Sequence, residues 1–404
     1  MSNPEPSVRA PALPPPSYAA AGDFLRVFCV FMIGWYHIWQ QSWLMPVLRL
    51  GGLTLDFYPW VRAGYMFVDL MLLLSGFLLY LPWANGNPPD TGDYLRRRAR
   101  RILPGYWLCL TVMLAFAVAD PGFDRPGLLA KDLGTHLLFI HNLFRFSYTQ
   151  TRLSGVLWTL AVEVQFYLLL PALAPVFRRR PLLCWAAMTG VALSFRFLWT
   201  AQMPDTTMFV NRLPNMLDVY ANGMLAAHLY ARLARRGDRR ALIAALGTLL
   251  AALGAWGVLR VVRAQALSYG DYEALRLGQL ERRWLLSACG AAFLLGGSLS
   301  FAPVRRALSN RALRFLGGVS FSFYMWHQWL AVKLKAWRIP PYRAAADPNQ
   351  AGEMPWQLHY TLLCFAAALL LAVLIHQFIE KPAARRMAGR REGAVGQGEQ
   401  SAQH

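Results

Sequence analysis

FVDLMLLLSGFLLYLPWANGNPPDTGDYLRRRARR, residues 67–101, contains both of the features that decide this fold. It opens inside an apolar run long enough to cross the hydrocarbon core of a bilayer, which takes about 20 residues as helix. It then breaks at Pro88 and Pro89 and sets five arginines into six positions, Arg96 to Arg101. Short loops rich in Lys and Arg stay on the cytoplasmic side of a membrane. The segment therefore reads as a helix descending through a membrane into a basic inner loop.

Working outward, runs of the same kind lie near 24–44, 60–82, 103–119, 153–176, 181–200, 209–230, 240–260, 284–302, 313–335 and 357–379. A shorter stretch, 134–144, cannot span and reads as a re-entrant or interfacial piece. Further basic clusters are Arg178–Arg180; Arg232 to Arg240; Arg305 to Arg314; and Lys381 with Arg385, Arg386, Arg390 and Arg391. Each dense cluster follows an even-numbered run, so one orientation puts them all inside. The expectation is an all-α, polytopic membrane bundle of about ten transmembrane helices, with both termini cytoplasmic.

Composition agrees. Of 404 residues, 15% are charged and 56% hydrophobic, with mean hydropathy +0.30; soluble domains carry about 25% charged residues. The net charge of +20 does not mark a nucleic-acid binder, because the basic residues sit in short runs between apolar segments. Cys29, Cys109, Cys184, Cys289 and Cys364 all lie in apolar stretches and fit neither a disulfide framework nor a metal site. Residues 1–21, with six prolines and no signal-peptide pattern, read as a disordered cytoplasmic tail, as do 387–404. Between them, 22–386 reads as one membrane domain.

Ionisable groups inside a bilayer are costly and mark pathways or active sites. His37, Asp69, Glu163 and His327 fall in one layer, slightly toward the outer side, on a rise of about 1.5 Å per residue. Each alone could serve helix packing; two imidazoles and two carboxylates at one depth point to chemistry. Arg26 lies almost three whole turns before His37, on nearly the same helix face. A cation at the inner mouth beneath a mid-depth imidazole suits a long anionic donor.

Six segments then carry a resemblance. They are DFLRVFCVFMIGWYH (23–37), FVDLMLLLSGFLLY (67–80), RRARRILPGYW (97–107), LWTLAVEVQFYLLLP (157–171), LGGVSFSFYMWHQ (316–328) and FIEKP (378–382). Their content and order resemble acyltransferase family three, the membrane-bound acyl-CoA-dependent O-acyltransferases of bacterial surface glycans and related molecules. Thr159 stands where that family usually has Ser, and Val164 where a second Glu is common. Some members add an extracytoplasmic hydrolase-like domain; here the membrane domain alone is expected to receive the acceptor.

The resemblance implies an enzyme of the bacterial inner membrane. It would move an acyl group, most simply acetyl, from cytoplasmic acyl-CoA to a hydroxyl of a carbohydrate or lipid-linked acceptor. Acyl-CoA is then a donor substrate, with no cofactor bound permanently and membrane lipid as surroundings. Such transfer needs a base for the hydroxyl, donors for the oxyanion and a hold on the coenzyme phosphates. His37, by resemblance and position, is the expected general base. Glu163 or Asp69 could orient it, Glu163 lying in the more distinctive segment. Arg98 and Arg101 would grip phosphates by resemblance, although basic residues are required at that position by topology in any case; Arg26 would neutralise the donor or anchor its helix. Ser320, Tyr324 and His327 share a helical stripe: Tyr324 or Ser320 could donate to the oxyanion and His327 could be a second base, or the stripe could simply pack. Trp158, Tyr167, Asp218 and Asn222 are expected to line the cavity without chemical roles, and His136 and His141 to be interfacial. No H-E-x-x-H or similar spacing indicates a metal. The competing class is a transporter or flippase, which also buries polar groups at mid-depth; the repeated halves and paired breaks that class would need are not seen in the sequence.

Overall fold

The computed structural model describes residues 18–120, 125–236, 239–342, 347–383 and 385. Among them stand ten helices of at least fourteen residues, one on each expected run. In chain order they are α1 (Ala21–Ser42), α2 (Phe67–Ala84), α3 (Thr91–Val118), α4 (Trp158–Arg179), α5 (Pro181–Ser194), α6 (Leu217–Leu233), α7 (Arg240–Leu267), α8 (Tyr272–Leu299), α9 (Arg311–Ala336) and α10 (Met354–Ile375). Seven of these, α1 to α5, α7 and α10, some with their flanking turns, are long and apolar enough to cross a membrane. The other three are more polar or shorter: α6 has 17 residues, α8 holds Glu281, Arg282 and Arg283 in succession, and α9 ends with Lys333 and Lys335. The chain is an all-α polytopic membrane bundle, and seven of the ten long helices among the described residues are long and apolar enough to cross a membrane.

Among the described residues the exception to all-α is an exposed antiparallel hairpin between α1 and α2, Val47–Leu50 with Leu53–Asp56. Its turn is Gly51-Gly52, and Gly51 takes the positive φ of 58° that such turns demand. The stretch at 134–144 falls across the end of a twelve-residue helix, Pro126–Leu137, and a turn at His141–Leu143.

Contacts along the helices fix their directions. Phe28 meets Phe67 and Gly22 lies beside Leu74, so α1 and α2 are antiparallel. Gly34 lies against Phe323, while Gly317 lies beside Arg26, so α1 and α9 run together. The α3 helix follows them, with Gly105 beside Phe321 and Phe116 against Trp329. Small residues allow the closest approach: a Cβ on Gly223 of α6 would stand 2.1 Å from the Leu73 carbonyl of α2.

Among the described residues, two arginine–aspartate pairs are buried in this bundle. Asp69 of α2 accepts from Arg283 of α8 at 2.9 Å, and Asp218 of α6 accepts from Arg196, in the turn after α5, at 2.9 Å. All four side chains are almost wholly buried. At one end of the bundle, Arg236, Arg240, Arg305, Arg306 and Arg314 share a recess with Tyr18. Tyr18–Ala21, placed in the disordered tail by sequence, are packed: Ala19 to Ala21 are buried and the Tyr230 hydroxyl donates to the Tyr18 carbonyl at 2.6 Å. The small alanine side chains fit against the bundle. Residues 1–17 of the expected tail, all of 387–404, and the last part of the fifth basic cluster lie outside the described residues.

Candidate active site

Five helices supply polar groups to one cavity of about 90 Å³, whose other walls are apolar side chains such as Val68, Leu72 and Phe321. Arg26 of α1 and Arg98 and Arg101 of α3 stand on its wall. Ser75 of α2 and Glu163 of α4 join there, the Ser75 hydroxyl donating to Glu163 Oε1 at 2.5 Å. Tyr167 and Thr159 of α4 and Ser320 and Tyr324 of α9 complete the polar lining. Since α1, α3 and α9 start at one end of the bundle, the arginines lie toward that end. Tyr324 lies further along α9, and Thr159 near the start of the opposed α4.

Arg98 is half-buried, its guanidinium 5.9 Å from the ring centres of Tyr94 and Tyr167. Its Nε has no partner among the described residues. A guanidinium with a spare donor beside a cavity is equipped to take an anionic oxygen. At the other end, the Tyr324 hydroxyl donates to the Val156 carbonyl at 3.2 Å and accepts from Thr159 at 3.0 Å.

One turn beyond Tyr324 come the two imidazoles. His327 Nδ1 faces the carbonyls of Tyr324 at 2.7 Å and Phe323 at 3.2 Å. Carbonyls only accept, so the hydrogen is on Nδ1 and Nε2 carries the lone pair. That Nε2 is buried without a partner among the described residues. The His37 ring lies 5.2 Å from it, centre to centre. His37 Nδ1 meets Gln40 Oε1 at 2.8 Å and Gln328 Nε2 at 3.2 Å. Gln40 Nε2 donates to the Tyr36 hydroxyl at 3.0 Å, which turns the amide oxygen toward the imidazole. The shorter contact thus puts the His37 hydrogen on Nδ1 and leaves Nε2 as the basic nitrogen.

Of the residues singled out by sequence, Arg26, Arg98, Arg101, Glu163, Tyr167, Ser320 and Tyr324 share the cavity. His37 and His327 stand together beyond its far end. Neither carboxylate reaches His37: Glu163 is held by Ser75, and Asp69 belongs to the pair with Arg283. The helix face of Asp69 was not legible in the sequence, and a buried carboxylate takes the nearest cation. Of the four expected lining residues only Tyr167 lines the cavity; Asp218 pairs with Arg196, and Asn222 bridges Trp185 and Ser287. His136 and His141 are buried and stacked 3.9 Å apart, because the chain folds back after Leu137.

Sequence reasoning gave no role to Gln40, Gln328 or Ser75. Gln40 had a signal, its i+3 spacing from His37; Gln328 follows His327 directly. In the FIEKP segment, Glu380 accepts from Ser322 at 2.6 Å and contacts His376 at 2.7 Å, clamping the turn after α10 onto α9.

Comparison with known proteins follows the same lines. The family model described as an acyltransferase domain matches residues 20–376. The chain is 24% identical over 350 residues to the peptidoglycan O-acetyltransferase OatA of Listeria monocytogenes, covering 80% of this chain and 52% of that protein. It is 25% identical over 401 residues to the putative peptidoglycan O-acetyltransferase YrhL of Bacillus subtilis, covering 90% and 55%. Nodulation protein 10 of Rhizobium leguminosarum is 26% identical over 170 residues, 39% of this chain and 44% of that one. The chain spans about half the length of the first two relatives. No solved structure matches it. With the family match running through the whole bundle and both histidines, the chain belongs to acyltransferase family three.

Proposed function

We propose that this protein is a bacterial inner-membrane O-acyltransferase that moves an acetyl group from acetyl-CoA to a hydroxyl of a cell-surface glycan. The observation that carries the reading is one cavity with three arginines on its wall and two lone-pair imidazoles just beyond its far end. The relatives named as peptidoglycan O-acetyltransferases favour a glycan acceptor. A cavity of about 90 Å³ has room for some three water-sized units. That suits a two-carbon acyl end, with the nucleotide held outside by Arg98 and Arg101.

In this mechanism His37 Nε2 takes the proton of the acceptor hydroxyl while its oxygen attacks the thioester carbonyl carbon. A C–O bond forms and the carbonyl oxygen becomes an oxyanion. Tyr324, turning its hydroxyl from the Val156 carbonyl, donates to that oxyanion. Collapse restores the carbonyl, breaks the C–S bond and releases coenzyme A thiolate, which takes the proton back from the His37 imidazolium. Gln40 holds the His37 tautomer, and Glu163 with Ser75 shapes the cavity beside the thioester. The recess shared by two basic clusters supports an orientation with the arginine end cytoplasmic.

The donor half is tested by equilibrium binding of acetyl-CoA to purified protein. Arg98→Ala combined with Arg101→Ala is expected to weaken binding about a hundredfold, two charge-assisted contacts at about 1.5 kcal/mol each. Equal affinity in wild type and variant would reject those arginines as the phosphate site, and no binding by wild type would reject the donor.

A further inference from the structure

A second pocket, of about 510 Å³, opens at the end of the bundle away from the cavity arginines. Its walls come from the last turns of α3, the last turns of α9 and the loop at 148–155 leading into α4. Two side chains tie it to the site above. Gln328 lines this pocket and also contacts His37 Nδ1 at 3.2 Å. It lies one turn after Tyr324, which lines the first cavity, so about 6 Å of α9 separates the two spaces. On α4 the same spacing recurs, with Gly155 on the pocket and Thr159 on the cavity.

The lining is that of a ligand site rather than a packing defect. Its volume falls within the range of small-molecule pockets. Trp329 forms an aromatic wall with Phe116, ring centres 4.9 Å apart. Ser154 is buried with its hydroxyl unpartnered among the described residues, and Arg152 and Lys333 add donors at the rim. The loop that carries Ser154 is fixed in place: Asp132 accepts from the Thr151 hydroxyl at 2.8 Å and from the Arg152 amide at 3.4 Å. An aromatic face beside fixed hydroxyl, amide and cationic donors is suited to a sugar ring, which has apolar C–H faces and hydroxyl edges.

We propose that this pocket is the acceptor subsite: it binds a sugar ring of the glycan against Trp329 and passes one hydroxyl by Gln328 to His37. The inference rests on the acyl-transfer reading, and its test is independent of the donor. The full chain in lipid nanodiscs is titrated with a soluble tetrasaccharide of alternating N-acetylglucosamine and N-acetylmuramic acid. Wild type binds, and Trp329→Ala weakens binding about tenfold or more, as for a truncated aromatic anchor. Val332→Trp, which adds bulk at an exposed position on the pocket wall, does the same without removing a core contact. Acetyl-CoA binding, measured on the same samples, stays at the wild-type value in both variants and reports that they are folded. Sugar affinity unchanged in both variants, or no sugar binding by wild type, would overturn the proposal. Loss of acetyl-CoA binding in wild type with sugar binding intact would instead remove the donor reading and leave this pocket standing.

Discussion

At His327 the backbone settles the tautomer, because two carbonyls face Nδ1 and both can only accept. At His37 a side chain does so, and a side chain can be changed. Gln40→Leu removes the acceptor and lets the ring hydrogen move to Nε2, where it blocks the base. We expect kcat to fall about tenfold to a hundredfold with KM for acetyl-CoA unchanged, and Gln40→Glu, which keeps an acceptor oxygen, to retain most activity. Steady-state kinetics of the two variants decide this; equal loss in both would show that Gln40 does not act through the tautomer. Tyr324→Phe should lower kcat similarly, since it removes the one hydroxyl assigned to the oxyanion. At this scale much was legible: residue type, depth and motif singled out His37, Glu163, Tyr324, His327 and the three arginines. Their partners were not, because hydrogen bonds such as Ser75 to Glu163 depend on the rotation of α2 against α4.

Helices α2, α6 and α8 are joined by features that a list of apolar runs cannot display. Asp69 and Arg283 come from segments more than two hundred residues apart, and one buried charge without the other is strongly unfavourable. Asp69→Asn should therefore lower stability by about 3–5 kcal/mol, read as a fall in the thermal midpoint of the purified protein. Asp69→Leu with Arg283→Met should recover most of that loss. If Asp69→Asn were fully stable but inactive, the residue would belong to the chemistry after all. The α2–α6 contact makes a second demand. Gly223→Ala would drive a Cβ to 2.1 Å from the Leu73 carbonyl, so the helices must separate. A cost of about 1–3 kcal/mol is expected, and an unchanged thermal midpoint would contradict that packing. The sequence located the helices well because a long apolar run is a strong local signal. It missed the hairpin at 47–56, which is only eight paired residues around Gly51-Gly52.

The whole molecule has two ends that differ in charge, the basis of the proposed orientation. Thr54→Cys, in the hairpin, should react with a membrane-impermeant maleimide on intact cells. Arg311→Cys, at the start of α9 beside the basic recess, should react only after lysis. The opposite pattern would invert the bundle and put the cavity arginines outside. The sequence supplies the proposed orientation, because each dense basic cluster follows an even-numbered run. The presence of two separate spaces meeting at one helical turn was not legible there, since it depends on which residues of α3, α4 and α9 face one another.

In the proposed mechanism, acetyl transfer is chemistry done by His37 at that junction. The most direct measurement is acetyl transfer from radiolabelled acetyl-CoA to a glycan-strand tetrasaccharide by purified protein, comparing wild type with His37→Ala. If His37 is the base, wild type transfers the acetyl group and the variant falls by about a hundredfold or more, with acetyl-CoA and sugar binding both retained. Transfer at the wild-type rate by folded His37→Ala would contradict that role.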